Sequence, residues 1–446
     1  MVEKGFKSIS IGFCIGSSMA RKNSGLFSRL KTWIDSTPMV DIHSHIDGTH
    51  PNAEDAKQIV FYHYIVTELL SAGMPPDAVS PNLPFEDAVK RAVPYFPLIE
   101  NTSTHWCLMT MLKQLYGFED DCINEKNRKR LLELILARTK QKDWYREVLT
   151  EKAKIKKTFL TFNYASEIPK HDPRLFAGVL RADQLVSRLN KSDVEDLGKA
   201  VGASIGSIID FEDSLVSLFK KFAEARCVAV AVSFRPEEVF TKSSKAKAEA
   251  SFRKLLSGLR LKTSERRAVS SFALSCVLSL AEEFSLPFQV MLGVRRPVAG
   301  AAPPDYAISG FEPKMISSLC PLFNDFSRVK FDVFLANRVQ SHELTVVAKN
   351  YPNVHVSGYW WYAFYPTVIK QFLVERLQML PRNKVNGFFS DAYVVEWSYA
   401  KASMVRLQLA TVLTKMVEEG CFTEDLAKSL AVDLLASNPE QLYSLT

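Results

Sequence analysis

His43 and His45 stand in the apolar run over residues 39–46, and this His-x-His pair is the feature of the sequence best suited to chemistry. Side chains alternate faces along a β-strand, so both imidazoles would point to the same side. Neutral imidazole is a preferred ligand of zinc and similar divalent ions. The pair therefore predicts two ligands of a metal site, which a distant carboxylate or histidine must complete.

The elements that would position this pair alternate between short apolar runs and amphipathic stretches, as in repeated strand–helix units. The runs are rich in Val, Ile and Phe without strict polar alternation, as expected of strands covered on both faces. The predicted strands are residues 40–46, 158–164, 176–180, 227–234, 287–293, 329–335, 354–359 and 385–390. Eight such strands predict an α/β fold, a TIM-like (β/α)8 barrel whose active site is formed at the C-terminal strand ends.

A long connection separates the first two predicted strands, far longer than a simple strand–helix unit requires. Helical patterns fill it at residues 56–72, 85–92, 104–116 and 127–139. We therefore predict an inserted helical subdomain after the first strand, at about residues 50–155, within a barrel domain that spans residues 38–446. Two long helices, over residues 399–419 and 424–436, are predicted to end the chain, with Gly420 after the first and Thr423 capping the second.

Composition and charge limit the classes of partner that the protein is expected to bind. The chain has 446 residues, 47% of them hydrophobic and 24% charged, as in an ordinary globular protein that buries a large core. The net charge of +7 is modest, and the basic runs at 151–157 and 242–247 lack interleaved aromatic residues, so no nucleic-acid partner is expected. No apolar stretch approaches the roughly 20 residues of a membrane span, so no membrane partner is expected either. The seven scattered cysteines are typical of reduced thiols in an intracellular protein.

The first 37 residues differ from the rest, because Glu3 is the only acid before Asp35 among several basic residues. Together with serines and a short apolar stretch at 9–15, this composition resembles an organellar presequence. The apolar stretch is short for a secretory signal. We expect a loose N-terminal tail over residues 1–37 of a cytoplasmic protein, with a mitochondrial leader as the alternative.

Asp391 is the single acid at the end of the eighth predicted strand. A first strand that ends in His-x-His and an eighth strand that ends in Asp resemble the amidohydrolase superfamily, whose barrels hold one or two divalent metals at this end. The resemblance implies that Asp391 is a metal ligand beside His43 and His45, a general base, or both by turns. Zinc is the expected metal, since three N and O ligands with open positions suit it.

Further segments, in the same order along the chain, are similar to the uronate isomerase branch of that superfamily. These segments are residues 61–64, 288–296, 358–362 and 438–443. The resemblance implies that His63 and Tyr64 lie over the substrate and that Arg296 contacts it, although a packed aromatic face is the alternative for His63 and Tyr64. Trp360 is the expected substrate contact of the adjacent pair Trp360 and Trp361, which face opposite sides of a strand, so that one lines the pocket and the other belongs to the core. Arg181 follows the third predicted strand as Arg296 follows the fifth, and each could hold a substrate anion with both branches of its guanidinium, or form an ordinary salt bridge.

Three departures from the family pattern limit what the resemblance implies. Met291 stands where many amidohydrolases have a His on the fifth strand, and a thioether is a poor ligand for a hard divalent metal. The fourth strand lacks the bridging Lys of binuclear members, so one ion rather than two is expected. Tyr393 stands where uronate isomerases have an Arg for the sugar carboxylate, which weakens the case for a uronate substrate.

The residues and the resemblance together predict a metal-dependent isomerase of a sugar acid or a related hydroxy-carbonyl compound. Asp391 or Tyr64 would move the proton next to the carbonyl, with His63 orienting Tyr64 or the substrate. A metal-dependent hydrolase with Asp391 as the base is the alternative reaction class, and a barrel that has lost its catalysis is the third interpretation. A small-molecule substrate is the expected partner, and assembly into a homo-oligomer is left open.

Overall fold

Eight parallel strands form one sheet, hydrogen-bonded in the order in which they occur along the chain. The computed structural model describes residues 16–241, 243–301 and 307–445. The strands are β1 Met39–Ser44, β2 Ile155–Asn163, β3 Phe176–Arg181, β4 Ala229–Phe234, β5 Phe288–Leu292, β6 Phe331–Leu335, β7 Val354–Ser357 and β8 Val385–Asn386. All eight lie within or overlap the predicted runs, and the predicted TIM-like barrel is confirmed.

The two edges of the sheet meet between β1 and the residues that follow β8. The backbone N–H of Asp391 donates to the carbonyl of His43 at 2.9 Å, and that of His45 donates to the carbonyl of Ala392 at 2.8 Å. These two bonds join the last strand to the first, and they bring Asp391 beside both histidines.

Regular pairing in β8 ends earlier than the sequence predicts. The N–H of Gly387 donates to the carbonyl of Leu434 at 2.7 Å, and the N–H of Ser390 donates to the Asp41 carboxylate at 2.7 Å. Because these donors bond outside the strand ladder, residues 387–390 run alongside β1 without forming a regular strand.

Helices cover the barrel and fill the connection between β1 and β2. The helices in that connection are Ala56–Val60, His63–Ser71, Phe85–Ala92, Phe96–Ile99, Ser103–Tyr116, Arg128–Thr139 and Trp144–Arg146. The helices that follow β3 to β7 are Asp183–Val186, Lys191–Val201, Ile208–Glu224, Lys245–Leu256, Thr263–Glu283, Cys320–Asp325, Ser341–Asn350 and Pro366–Met379. The helical insertion after the first strand is present as predicted.

The predicted continuous helix over residues 56–72 is wrong in one respect, because the structure breaks it at Phe61 and Tyr62. The Tyr62 ring stacks on Trp397 with centroids 4.3 Å apart, and its hydroxyl donates to the carbonyl of Asp391 at 3.4 Å. These tertiary contacts turn the chain toward the barrel mouth, which a local helical pattern does not reveal.

An N-terminal helix, Gly16–Ser36, precedes the barrel. Leu30 and Ile34 on this helix are fully buried, and Arg29 pairs with Glu424 at 2.8 Å. A loose tail is therefore the wrong description of residues 25–36, since apolar side chains one turn apart dock this helix on the C-terminal helices. Residues 1–15 lie outside the described part of the chain, and the leader stays a prediction.

The chain ends in three helices, Val395–Glu418, Glu424–Val432 and Asn438–Tyr443. The predicted helix over 424–436 gives way to a wider π-helical turn after Val432. The last helix closes the barrel end opposite the histidines, where Gln289 Nε2 donates to the Tyr443 hydroxyl at 2.9 Å. Over the described residues, no helix is both long and apolar enough to cross a membrane.

Candidate metal centre and active site

His43, His45 and Asp391 converge where β1 meets the end of the last strand. Asp391 Oδ1 lies 3.4 Å from His43 Nε2 and 3.3 Å from His45 Nε2. One potential ligand atom from each residue lies within 4.8 Å of the other two. Ligands held tetrahedrally at about 2.1 Å from a zinc ion lie about 3.4 Å from one another, so the spacing suits a single divalent ion.

His43 supports this interpretation by its burial. Its side chain is fully buried, and among the described residues neither ring nitrogen has a hydrogen-bond partner of good geometry. Burial lowers the pKa of His43 to about 4, so the ring is neutral near pH 7 and its nitrogen lone pair is available. An unpaired buried polar atom is costly, and a cation at Nε2 would remove that cost. The donor set therefore fits a divalent metal.

The backbone and the neighbouring imidazoles constrain the conformation and the charge of Asp391. Its φ of 51° is in the left-handed region, where residues other than glycine are uncommon and often functional. Burial opposes ionisation, but the contacts with His43 and His45 hold the pKa of Asp391 well below its usual range. The carboxylate is therefore anionic, as a metal ligand or a base must be.

His63 and Tyr64, predicted from the family resemblance, lie beside this carboxylate. The Tyr64 hydroxyl donates to Asp391 Oδ2 at 3.2 Å, so the two carboxylate oxygens face different partners. The His63 ring packs on Tyr64 with centroids 4.1 Å apart. Burial lowers the pKa of His63 to about 3, with the Lys401 charge adding to the effect, so this imidazole is neutral.

A cavity of about 730 Å³ opens in front of these groups. Its lining includes every predicted site residue except His43, which lies beneath it. Trp360 and Met291 contribute apolar surface, and both are almost fully buried. Trp360 follows β7 rather than lying on it. This volume is within the range of small-molecule sites, about 300–1,000 Å³.

The two predicted anion-binding arginines differ in the structure. Arg181 Nε and Nη2 donate to the two oxygens of Asp183 at 2.6 and 2.9 Å. The Nε/Nη2 fork of its guanidinium is therefore occupied, and Nη1 lies 3.9 Å from Met291 Sδ, so the structure does not favour a two-pronged grip by Arg181 on a substrate anion. Arg296 follows β5 and lines the cavity, and the peptide bond between Arg296 and Pro297 is cis.

Sequence reasoning missed Lys401, which lies behind the site on the long C-terminal helix. Its ammonium donates to the carbonyl of Ser390 at 2.6 Å and lies 4.8 Å from the centre of the Tyr64 ring. No motif in the sequence marks it. Arg235, which directly follows β4 and lines the cavity, was also missed, although its place after a strand is the same signal that identified Arg181 and Arg296.

Comparisons with known proteins agree with this architecture. No family model matches the chain. A curated uronate isomerase from Thermotoga sp. (strain RQ2) is 22% identical over 268 residues, which cover 57% of this chain and 57% of that protein. The match thus spans less than two thirds of the relative's length.

Solved structures match over more of the chain. A uronate isomerase from Thermotoga maritima superposes with a TM-score of 0.86 at 18% identity, covering 94% of this chain and 97% of that one. A glucuronate isomerase from Caulobacter crescentus gives a TM-score of 0.84 at 19% identity, covering 95% and 94%. The chain therefore has the fold of these isomerases, as the order of its motifs predicted.

Proposed function

We propose that this protein is a metal-dependent isomerase that interconverts neighbouring hydroxyl and carbonyl groups in a sugar acid or a related compound. The observation that carries the proposal is the convergence of His43, His45 and Asp391, with the Tyr64 hydroxyl on the remaining oxygen of Asp391, at one wall of a cavity of small-molecule size. The fold shared with uronate isomerases supports the reaction class.

His43, His45 and Asp391 would hold one divalent ion, with zinc the expected metal because open positions remain beside three N and O ligands. When bound, such an ion supplies Lewis-acid stabilisation of negative charge on a substrate oxygen. Side chains of the protein would carry out every other part of the reaction.

The isomerisation moves one proton between adjacent carbon atoms and another between their oxygens. Asp391 would take the proton from the carbon next to the carbonyl and return it to the neighbouring carbon. In the free protein the Tyr64 hydroxyl donates its single proton to Asp391 Oδ2. Once Asp391 has taken up the substrate proton, this hydroxyl would turn to the substrate, donate its proton to one oxygen and take up the proton of the neighbouring hydroxyl. His63 would fix the Tyr64 ring by packing against it.

Tyr393 bears on the identity of the substrate. Its ring stacks on His45 with centroids 4.9 Å apart, so it lies directly over the proposed metal ligand. A phenol cannot supply the charged fork with which arginine grips a carboxylate. We infer that glucuronate and galacturonate are poor substrates and that a substrate anion is held elsewhere in the cavity.

Solvent exchange tests the reaction class. Zinc-loaded protein is incubated in D₂O with a panel of aldose and ketose acids and phosphates, and substrate and product are followed by NMR. We expect deuterium to enter at the carbon next to the carbonyl as product forms, and Asp391→Asn to slow this exchange by about 10²–10⁴-fold. A second panel of amides and esters tests the alternative, because hydrolysis of one of these without exchange would identify a hydrolase instead. A protein that catalyses neither reaction and does not respond to metal would be a barrel without catalysis.

A further inference from the structure

Three arginines line the part of the cavity that faces the proposed metal centre. Arg188 follows the short helix Asp183–Val186 after β3, Arg235 directly follows β4, and Arg296 follows β5. In a closed barrel of eight strands, β4 and β5 lie opposite β8 and β1. The three guanidinium groups are therefore across the cavity from His45 and Asp391.

Two of these guanidinium groups have unused hydrogen-bond donors. Arg235 Nη2 donates to the carbonyl of Arg296 at 2.7 Å, but its buried Nε has no hydrogen-bond partner. Arg188 is exposed at the cavity wall, and it forms neither an ion pair nor a side-chain hydrogen bond with the part of the chain that the structure describes. The buried Nε of Arg235 therefore carries a free-energy cost that an incoming acceptor would remove.

The cluster also brings like charges together. Burial lowers the pKa of Arg188, and the charges of Arg235 and Arg296 add to this effect. Glu238 is a nearby acid, but its two oxygens accept the Ser187 hydroxyl and the Arg235 backbone N–H. Arg188 itself has a left-handed φ of 60°. A fold that holds arginines together in this strained arrangement is typical of an anion-binding site.

We propose that Arg188, Arg235 and Arg296 bind a terminal phosphate group, so that the substrate is a phosphorylated hydroxy-carbonyl compound rather than a uronate. A phosphate monoester carries about −1.5 to −2 charges at neutral pH and three acceptor oxygens, enough for several guanidinium groups. A carboxylate offers two oxygens and one charge. For the reacting end of the substrate this inference rests on the proposed function, whereas the anion site itself does not require the metal.

Inorganic phosphate is the probe, measured by isothermal titration calorimetry on chelator-treated protein so that it cannot bind a metal. We expect the unmodified chain to bind phosphate and to bind acetate at least tenfold more weakly. Arg188→Met and Arg235→Met should each weaken phosphate binding at least tenfold. Arg295→Met is the matched control and should leave binding unchanged, because Arg295 pairs with Glu237 at 3.2 Å and does not line the cavity.

Circular dichroism and thermal melting establish that each variant is folded. A Lys substitution at the same position, which keeps the charge but loses the fork, replaces any Met variant that is not. Failure of the unmodified chain to bind phosphate would overturn the proposal. Three other results would overturn it as well. They are equal affinity of the unmodified chain for acetate and phosphate, phosphate affinity that is unchanged in both Arg188→Met and Arg235→Met, and a loss of affinity in Arg295→Met as large as in those variants.

A further variant separates this inference from the proposed function. The double variant His43→Ala/His45→Ala should lose isomerase activity but keep its phosphate affinity. Phosphate binding without isomerisation of any phosphorylated substrate would leave the anion site standing and remove the proposed function. Isomerisation of unphosphorylated acids by a chain that does not bind phosphate would leave the proposed function standing and remove the anion site.

Discussion

The substitution Asp391→Asn separates the chemical role of this residue from its structural role. The change preserves the size of the side chain, and Asn tolerates the left-handed φ of 51° observed here. The backbone bond from Asp391 N–H to the carbonyl of His43 does not involve the side chain, so the seam between the first and last strands should remain closed. The variant loses the negative charge and the ability to accept a proton, and one of its two acceptor oxygens becomes an NH₂ donor.

A lost general base lowers turnover by about 10²–10⁴-fold, and that is the decrease we expect for Asp391→Asn. The amide oxygen can still face His43 and His45, so part of the metal should remain at reduced affinity. Metal content and turnover must therefore be measured on the same preparation, before and after zinc is added in excess.

Asp47→Asn provides the matched control, since it makes the same chemical change at an exposed residue that does not line the cavity. This control should have the metal content and the turnover of the unmodified chain. Turnover of Asp391→Asn close to that of the unmodified chain, whatever its metal content, would refute the assignment of Asp391 as the base.

Three further predictions follow from individual contacts. Tyr393 should keep kcat/KM for glucuronate and galacturonate below about 10⁴ M⁻¹s⁻¹, and steady-state assays that exceed this value would show that another residue grips the carboxylate. Lys401→Met should retain the metal, because the ammonium bonds to the carbonyl of Ser390 and not to a side chain of the proposed metal ligands, yet it should lower turnover about tenfold through lost support of the Tyr64 ring; unchanged turnover would contradict this. Burial raises the pKa of Glu396 from 4.5 to about 7, so the folded state holds a proton that the unfolded state releases, and the free energy of unfolding should fall by about 3 kcal/mol as the pH rises through that interval. Glu396→Gln should remove this pH dependence in urea unfolding, and an unchanged dependence would show that the carboxyl is ionised in the fold.

Much of the barrel could be predicted from sequence because strands buried on both faces leave continuous apolar runs. The same logic located His43 and His45, since the alternation of side chains along β1 fixes their common direction. Asp391 could be placed only by its position after the last strand and by the family resemblance. Its distances to the two imidazoles depend on barrel closure, which no local pattern encodes.

The parts that sequence reasoning missed depend on tertiary contacts. The break at Tyr62 arises from stacking on Trp397, a residue more than three hundred positions away. No sequence pattern distinguishes Lys401 from other helical lysines, because its hydrogen bond to the carbonyl of Ser390 forms only in the folded protein. Asp183, only two residues after Arg181, occupies the guanidinium fork that the sequence left open for a substrate.

The central claim is that His43, His45 and Asp391 hold a catalytic metal, and elemental analysis of purified variants tests it most directly. The unmodified chain should carry about one divalent ion, as expected for three ligands in an open site. His43→Ala/His45→Ala should carry none while remaining folded, and the control His50→Ala/His342→Ala, which removes two exposed imidazoles, should retain the full amount. Stoichiometric metal in the His43→Ala/His45→Ala protein, or an unmodified chain that neither contains nor responds to a divalent ion, would contradict the account.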